Sequence, residues 1–413
     1  MSAPDHPEHR TGTAELTLTA PTGEPLADQD VVVEQTRHGF EFGNIGFDLI
    51  DHATGEQRCD RLAEDWLRLF NTATLPFYWG RFEAERGRPD TERLKAAARW
   101  FGDQRVRLKG HPLVWHTVKA AWLDSLSTAE VEQVVRARVR REAHDFAGLI
   151  DAWDAINEVV IMPEFDNEPD GVPNAISRLA QETGRVEMVR LAFDSAREAN
   201  PAARLVINDF DLSSRYEDLI TELLEAGVRI DAIGLQTHMH QGFRGEEQLT
   251  ECADRFARFG IPLHFTETSL VSGDLMPADV VDLNDHVVAE WPSTEEGEAR
   301  QAEDIDRHYR TLVGHSAVAA ITYWGITDRG AWLGAPIGLL RADGSRKPAY
   351  DALDRLINDK WWLAPTVLRT GSRGQVRVTG FQGDYTVSHG SASASFTITA
   401  TPARVQLTPQ RMR

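Results

Sequence analysis

Trp153-Asp154-Ala155-Ile156-Asn157-Glu158 is a short, largely apolar run that ends in an amide and a carboxylate. A run of that length between longer helical patterns reads as a buried strand. Runs of the same kind recur at 38–46, 68–75, 105–115, 204–210, 231–239, 262–269 and 319–328, which with 151–158 make eight. The segments 62–70, 129–148, 186–199, 215–226 and 295–313 carry apolar residues at helical spacing with charges between them. Strands alternating with crossover helices imply parallel pairing. Eight such units predict an α/β fold, a closed (β/α)8 TIM barrel.

The flanks are patterned differently. Residues 13–36 alternate with period two around a Gly-Glu-Pro turn, and TVLRTG, GQVRVTGF, GDYTVSHG, ASFTITA and ARVQLT repeat that style after residue 365. An isolated two-stranded hairpin is marginal in water. Both chain ends are therefore expected to build one accessory β module. The division predicted is 1–12 as a disordered segment, 13–37 as N-terminal strands of the module, 38–358 as the barrel and 359–413 as the C-terminal β module.

Composition narrows the function. The 413 residues are 41% hydrophobic and 26% charged, an ordinary globular balance. Lys and Arg total 44 against 64 Asp and Glu, a net charge of −20 that argues against nucleic acid or membrane partners. Cys59 and Cys252 have no metal-ligand spacing, and no apolar N-terminal stretch stands out as a leader, so a cytoplasmic protein is expected.

Two strand ends carry the chemistry. Glu158 closes the fourth run, and Glu267 closes the seventh, Leu263-His264-Phe265-Thr266-Glu267. In a barrel the C-terminal strand ends line one mouth. A facing pair of carboxyl groups is what glycoside hydrolysis needs, one to protonate the leaving oxygen and one to attack or stabilise the sugar cation. With 64 acidic residues a random glutamate is usually a solvated surface charge, but each of these two follows an apolar run.

The order of motifs resembles family 10 of the glycoside hydrolases, typified by retaining endo-β-1,4-xylanases. The likeness covers about 42–356 and rests on Gly110-His111-Pro112-Leu113-Val114-Trp115-His116, WDAINE, Ile233-Gly234-Leu235-Gln236-Thr237-His238, FTET at 265–268, ITYWGITD at 321–328 and Arg346-Lys347-Pro348-Ala349-Tyr350. The resemblance implies Glu158 as acid/base, Glu267 as nucleophile and Asn157 as the amide holding a sugar hydroxyl. It likewise implies His111, Trp115, Gln236, His238, Trp324 and Trp332 as sugar contacts, a carbohydrate or glycoside substrate, and no cofactor or metal. It also implies a cis peptide before residue 112, which Pro112 makes the least costly.

The second-strand region departs from that family. Its Asn-x-x-Thr-x-Glu-Asn-x-x-Lys-Trp pattern, which binds the distal xylose, is replaced here by Asn71-Thr72-Ala73-Thr74-Leu75-Pro76-Phe77-Tyr78-Trp79-Gly80-Arg81. Tyr78 and Trp79, with Phe77, are expected to face the substrate instead. Ser269 stands where an Asp normally supports the histidine that orients the nucleophile, and His240 is the expected compensation. An endo-xylanase-like hydrolase acting in xylan degradation is the leading reading. A glycosidase releasing a short sugar from a saponin or aryl aglycone, of the tomatinase type, stays open beside it. Two others are weighed: a metal-dependent hydrolase using His111, His116, His238 and His240, and a non-catalytic sugar binder. The C-terminal aromatics Trp361, Trp362, Phe381, Tyr385 and Phe396 suggest packing rather than a stacking platform.

Overall fold

The chain enters through β1 (Thr11–Leu18) and β2 (Asp30–His38) and then winds through β3 (Glu41–Ile45), β4 (Thr72–Pro76), β5 (Arg107–His111), β6 (Ala152–Asn157), β7 (Arg204–Asp209), β8 (Ala232–Met239), β9 (Leu263–Leu270) and β10 (Val318–Tyr323). It ends in β11 (Thr366–Arg369), β12 (Gln375–Phe381), β13 (Gly383–His389), β14 (Ala392–Ile398), β15 (Ala403–Leu407) and β16 (Gln410–Arg411). The computed structural model describes residues 7–165, 174–407 and 410–411.

Strands β3 to β10 are the predicted barrel. All neighbours are parallel, and β10 pairs with β3 to close the ring. Every residue of β6 and of β9 is buried, as expected of parallel strands covered on both faces. The helices supply the outer layer. In Thr128–Asp145, for example, Ser127 and Glu130 form a reciprocal cap, and Val131, Val135 and Val139 repeat every four residues against the core.

Strand limits differ from the sequence reading where helices and turns claim residues. β4 starts at Thr72 rather than 68, because the preceding helix Asp60–Leu69 continues far enough to bury Trp66 and Leu69. β5 stops at His111, where Pro112 has no N–H for a ladder; the His111–Pro112 peptide is cis, as the resemblance implied.

The two chain ends do build one module. β1 pairs antiparallel with β12 and parallel with β15, while β2 lies in a second sheet of order β11-β2-β13-β14-β16. The two sheets close over Leu16, Val33, Val378, Tyr385 and Phe396. Residues 8–12, expected to be disordered, instead form a 3-10 turn and the start of β1. They are held because Arg10 Nε donates to Val313 O at 3.0 Å and Nη2 to His315 O at 2.8 Å, just ahead of β10. The expected disorder of residues 1–6 lies outside the described residues. The assignment of Trp361 to the C-terminal module also needs correction: it is 2% exposed and stacks on Phe42 of β3 at 5.9 Å, inside the barrel core. His38 Nε2 bonds Ile357 O at 2.9 Å, a second staple between the module and the barrel's last helical segment.

Arg10 bonds the approach to β10 and His38 leads into β3, so the module sits at the N-terminal ends of the barrel strands. The opposite rim is left for the strand-end carboxylates. No helix among the described residues is long and apolar enough to cross a membrane. Arg10→Ala removes a charged donor and orphans its carbonyls, so we expect a loss of about 2 kcal/mol in stability. Urea denaturation followed by tryptophan fluorescence measures it.

Candidate active site

β6 and β9 are not neighbours in the ring; β7 and β8 separate them. Their C-terminal ends present Glu158 and Glu267 to the same mouth. Glu267 is 5% exposed. His238 Nε2 lies 3.2 Å from its Oε2, Asn208 Nδ2 donates to its Oε1 at 2.8 Å, and His111 Nε2 is 4.0 Å from Oε1. Glu158 Oε2 accepts Trp115 Nε1 at 2.8 Å, and its Oε1 accepts Asn157 Nδ2 at 3.2 Å and Gln236 Nε2 at 3.3 Å.

Asn208 links the two. Its Nδ2 also donates to Asn157 Oδ1 at 2.7 Å, and its Oδ1 accepts the Thr266 hydroxyl at 2.5 Å. A continuous hydrogen-bonded path therefore runs from Glu267 through Asn208 and Asn157 to Glu158.

The environments push the two carboxyls apart. Burial raises Glu158 to about 8, and the neighbouring charges of Glu267 and Asp209 add to the effect against the pull of Trp115 and Gln236. Burial also acts upward on Glu267, but His111, the His238 hydrogen bond and Lys109 outweigh it and hold the group below its ordinary value. At neutral pH one carboxyl keeps its proton and the other is ionised. Such a pair can supply a proton and a nucleophile to a single bond.

A further layer fixes the histidines. Asp154 is buried and stays below the usual carboxylate range because Lys109 and His111 offset its burial. It lies 2.8 Å from Lys109 Nζ and accepts from His111 Nδ1 at 2.7 Å. That bond commits the His111 tautomer and aims Nε2 toward Glu267. His238 Nδ1 is 3.0 Å from Ser269 Oγ. The serine hydroxyl can donate to Nδ1 of a neutral imidazole, leaving Nε2–H for Glu267. Ser269 thus itself takes the supporting place. His240, expected to compensate, does not: its ring nitrogens meet no partner among the described residues, and it packs on Trp332 and Trp291.

Glu158, Glu267, His111, Trp115, Asn157, Gln236, His238, Trp324, Trp332 and Tyr78 all gather at this mouth. Trp324 lies against His111 and His238, and Trp332 against His238 at 4.8 Å. Tyr78 touches His111 and Trp115. Trp79 and Phe77 do not join them. The chain turns at Trp79–Phe82 into a short helix, which sends the Trp79 ring to Glu83, with its Nε1 3.2 Å from Oε2, and under the Arg138 guanidinium. Phe77 is fully buried against Phe82, Phe146 and Trp153. Asn208 and Asp154 were not singled out from the sequence, although Asn208-Asp209 ends an apolar run as Asn157-Glu158 does. Among the described residues no three His, Cys, Asp or Glu side chains converge as a metal site would require.

Residues 68–355 match the profile described as Glycosyl hydrolase family 10. Endo-1,4-beta-xylanase 3 of Hypocrea jecorina is 29% identical over 255 residues, which cover 60% of this chain and 63% of that protein. The chain thus spans less than two thirds of that relative's length. Endo-1,4-beta-xylanase B of Thermotoga neapolitana is 26% identical over 78% of this chain and 88% of its own. Xylanase 10B of Thermotoga petrophila, solved in complex with xylobiose, shares the fold with a TM-score of 0.63 at 22% identity over 78% of this chain and 95% of that one.

The raised Glu158 carboxyl links pH to stability. Its native preference for the proton stabilises the fold below the ordinary carboxylate value of 4.5, and that contribution is lost as pH rises through about 8. Glu158→Gln, which carries no charge to bury, is expected to raise the thermal midpoint at about pH 9 and to leave it nearly unchanged at about pH 4. Calorimetry at the two pH values measures the difference.

Proposed function

The chain belongs to glycosyl hydrolase family 10, and from that premise we propose that it hydrolyses β-glycosides of the xylose type by double displacement with retention. The observation that carries this reading is the buried pair with opposed pKa shifts: Glu158 raised to about 8 and Glu267 lowered, joined through Asn208 and Asn157.

In this reading Glu267 attacks the anomeric carbon as the bond to the leaving oxygen breaks, and Glu158 gives that oxygen its proton. The product of this step is a glycosyl ester on Glu267. Glu158, now ionised, takes a proton from water; the resulting hydroxide equivalent attacks the anomeric carbon and frees Glu267. The His238 and Asn208 contacts hold Glu267 in place for both displacements. Asn157, Gln236, His111 and Tyr78 offer hydrogen-bonding groups to sugar hydroxyls, and Trp115, Trp324 and Trp332 offer flat faces to pyranose rings.

A second reading, release of a short sugar from a small aglycone, is favoured by the 71–83 segment. There the family's Glu, Asn and Lys are replaced, and Tyr78 is the side chain that reaches the mouth.

Nitrophenyl β-xyloside, β-xylobioside, β-glucoside, β-cellobioside and β-galactoside, assayed beside soluble xylan, separate the readings. Glu267→Ala is expected to abolish turnover of every substrate. Glu158→Ala is expected to spare the first step on nitrophenyl substrates, whose leaving group needs little protonation, and to accumulate the glycosyl-enzyme. Wild-type activity is expected to fall as pH rises through about 8, where Glu158 gives up its proton. Equal loss on activated and unactivated substrates in Glu158→Ala rejects the assignment.

A further inference from the structure

We propose that Phe47, Tyr78, His111 and Trp324 form a closed aromatic collar that ends the sugar cleft one ring beyond the attacked carbon, making this an enzyme that removes single terminal sugars. The proposal rests on the reading of Glu267 as the attacking group.

The four rings meet in a complete circuit. Ring centroids are 5.5 Å apart for Tyr78 and His111, 5.9 Å for Tyr78 and Phe47, 6.0 Å for Phe47 and Trp324, and 5.1 Å for Trp324 and His111. The interplanar angles run from 77° to 85°, so each ring sets its edge into the face of the next. Edge-to-face contacts of this kind add to what burial alone supplies, which makes the wall stiff. Neighbouring rings in van der Waals contact leave no channel through which a second pyranose could pass.

The position of the collar decides what it excludes. Between Glu267 on β9 and Glu158 after β6, the closed ring of strands offers two arcs, one through β10, β3, β4 and β5 and one through β8 and β7. The four rings follow or end the four strands of the first arc. His111 and Trp324 bear on the nucleophile's surroundings, His111 directly at 4.0 Å and Trp324 through His238. The sugar under attack lies over Glu267, so its far end meets the collar. On the second arc Phe210, just after β7, is 48% exposed, and the proposal places the rest of the substrate on that side. The Tyr78 hydroxyl has no hydrogen-bond partner among the described residues. It is the group placed to bond the free hydroxyl that only a terminal sugar has.

The test compares monosaccharide and disaccharide glycosides of the same leaving group, in the xylose and glucose series, for wild type, Tyr78→Ala and Phe47→Ala. Wild type is expected to favour the monosaccharide in kcat/KM by at least roughly tenfold. Either collar variant is expected to narrow that ratio by roughly tenfold, through a gain on the disaccharide glycoside. Xylose as the first product from xylotetraose also supports the proposal. A wild type that prefers xylobioside, or a ratio unmoved in a folded Tyr78→Ala or Phe47→Ala protein, overturns it. Absence of turnover on every glycoside rejects instead the hydrolase reading. The collar is then judged by calorimetry with xylobiose, whose binding must tighten in Tyr78→Ala or the collar is rejected too.

Discussion

The orientation of one amide, Asn208, governs the relation between the two carboxyl groups. Its nitrogen donates to Glu267 and to Asn157, and its oxygen accepts from Thr266. An inverted amide would set an acceptor against the Glu267 carboxylate and a donor against Thr266, so the bonds allow a single orientation. The room for this amide is made by Gly234 on β8: a Cβ there would come within 2.5 Å of Asn208 Oδ1. A side chain at 234 forces the amide out of its place between the carboxyl groups. The absence of a side chain at one barrel position is thus part of the candidate site.

Burial alone raises both carboxyls, so it cannot distinguish them. The distinction comes from what lies on each side. Glu267 has His238 and His111 beside it and Lys109 beyond, whereas Glu158 has neutral donors and the negative charges of Glu267 and Asp209. Asp209 is itself raised to about 7 by burial despite accepting backbone N–H groups from Asp211 and Val160. Lys109, anchored on Asp154, and His111 lie under Glu267 and, with His238, hold it below its ordinary value without exposing it to solvent. In a chain with a net charge of −20, that local placement is what allows one buried carboxylate to stay ionised.

Much of this was legible in the sequence, because strand ends in a barrel follow a pattern that a single chain can display. An apolar run ending in polar residues marks β6 and β9, and the count of eight runs marks the closed ring. Contacts that depend on local backbone turns were not legible. Tyr78 and Trp79 are adjacent aromatics in one string, and only the helical turn from Trp79 to Phe82 sends one into the mouth and the other under Arg138. Ser269 and His240 show the same limit. Strand alternation allowed His240 to face Glu267, but the strand ends at Met239, and the ring instead packs on tryptophans. Asn208 was legible in principle, since Asn208-Asp209 repeats the Asn157-Glu158 pattern, yet its role needs a partner contributed by each of β6 and β9.

Glu158 itself has a backbone φ of 55°, in the left-handed region that a residue with a side chain seldom occupies. The cause lies in the ladder: its N–H donates to Asn208 O at 2.8 Å, while the chain must leave β6 and turn into the segment beyond. Strained residues of this kind cost of order 1–3 kcal/mol and persist where surroundings over-determine them. Here Trp115, Asn157 and Gln236 hold the carboxyl, and Asn208 holds both the backbone of Glu158 and the side chain of Glu267. One residue therefore sets the placement of one carboxyl through the main chain and of the other through its amide. The separation of the pair is thereby tied to β7, the strand adjoining β6, rather than to the flexible glutamate side chains.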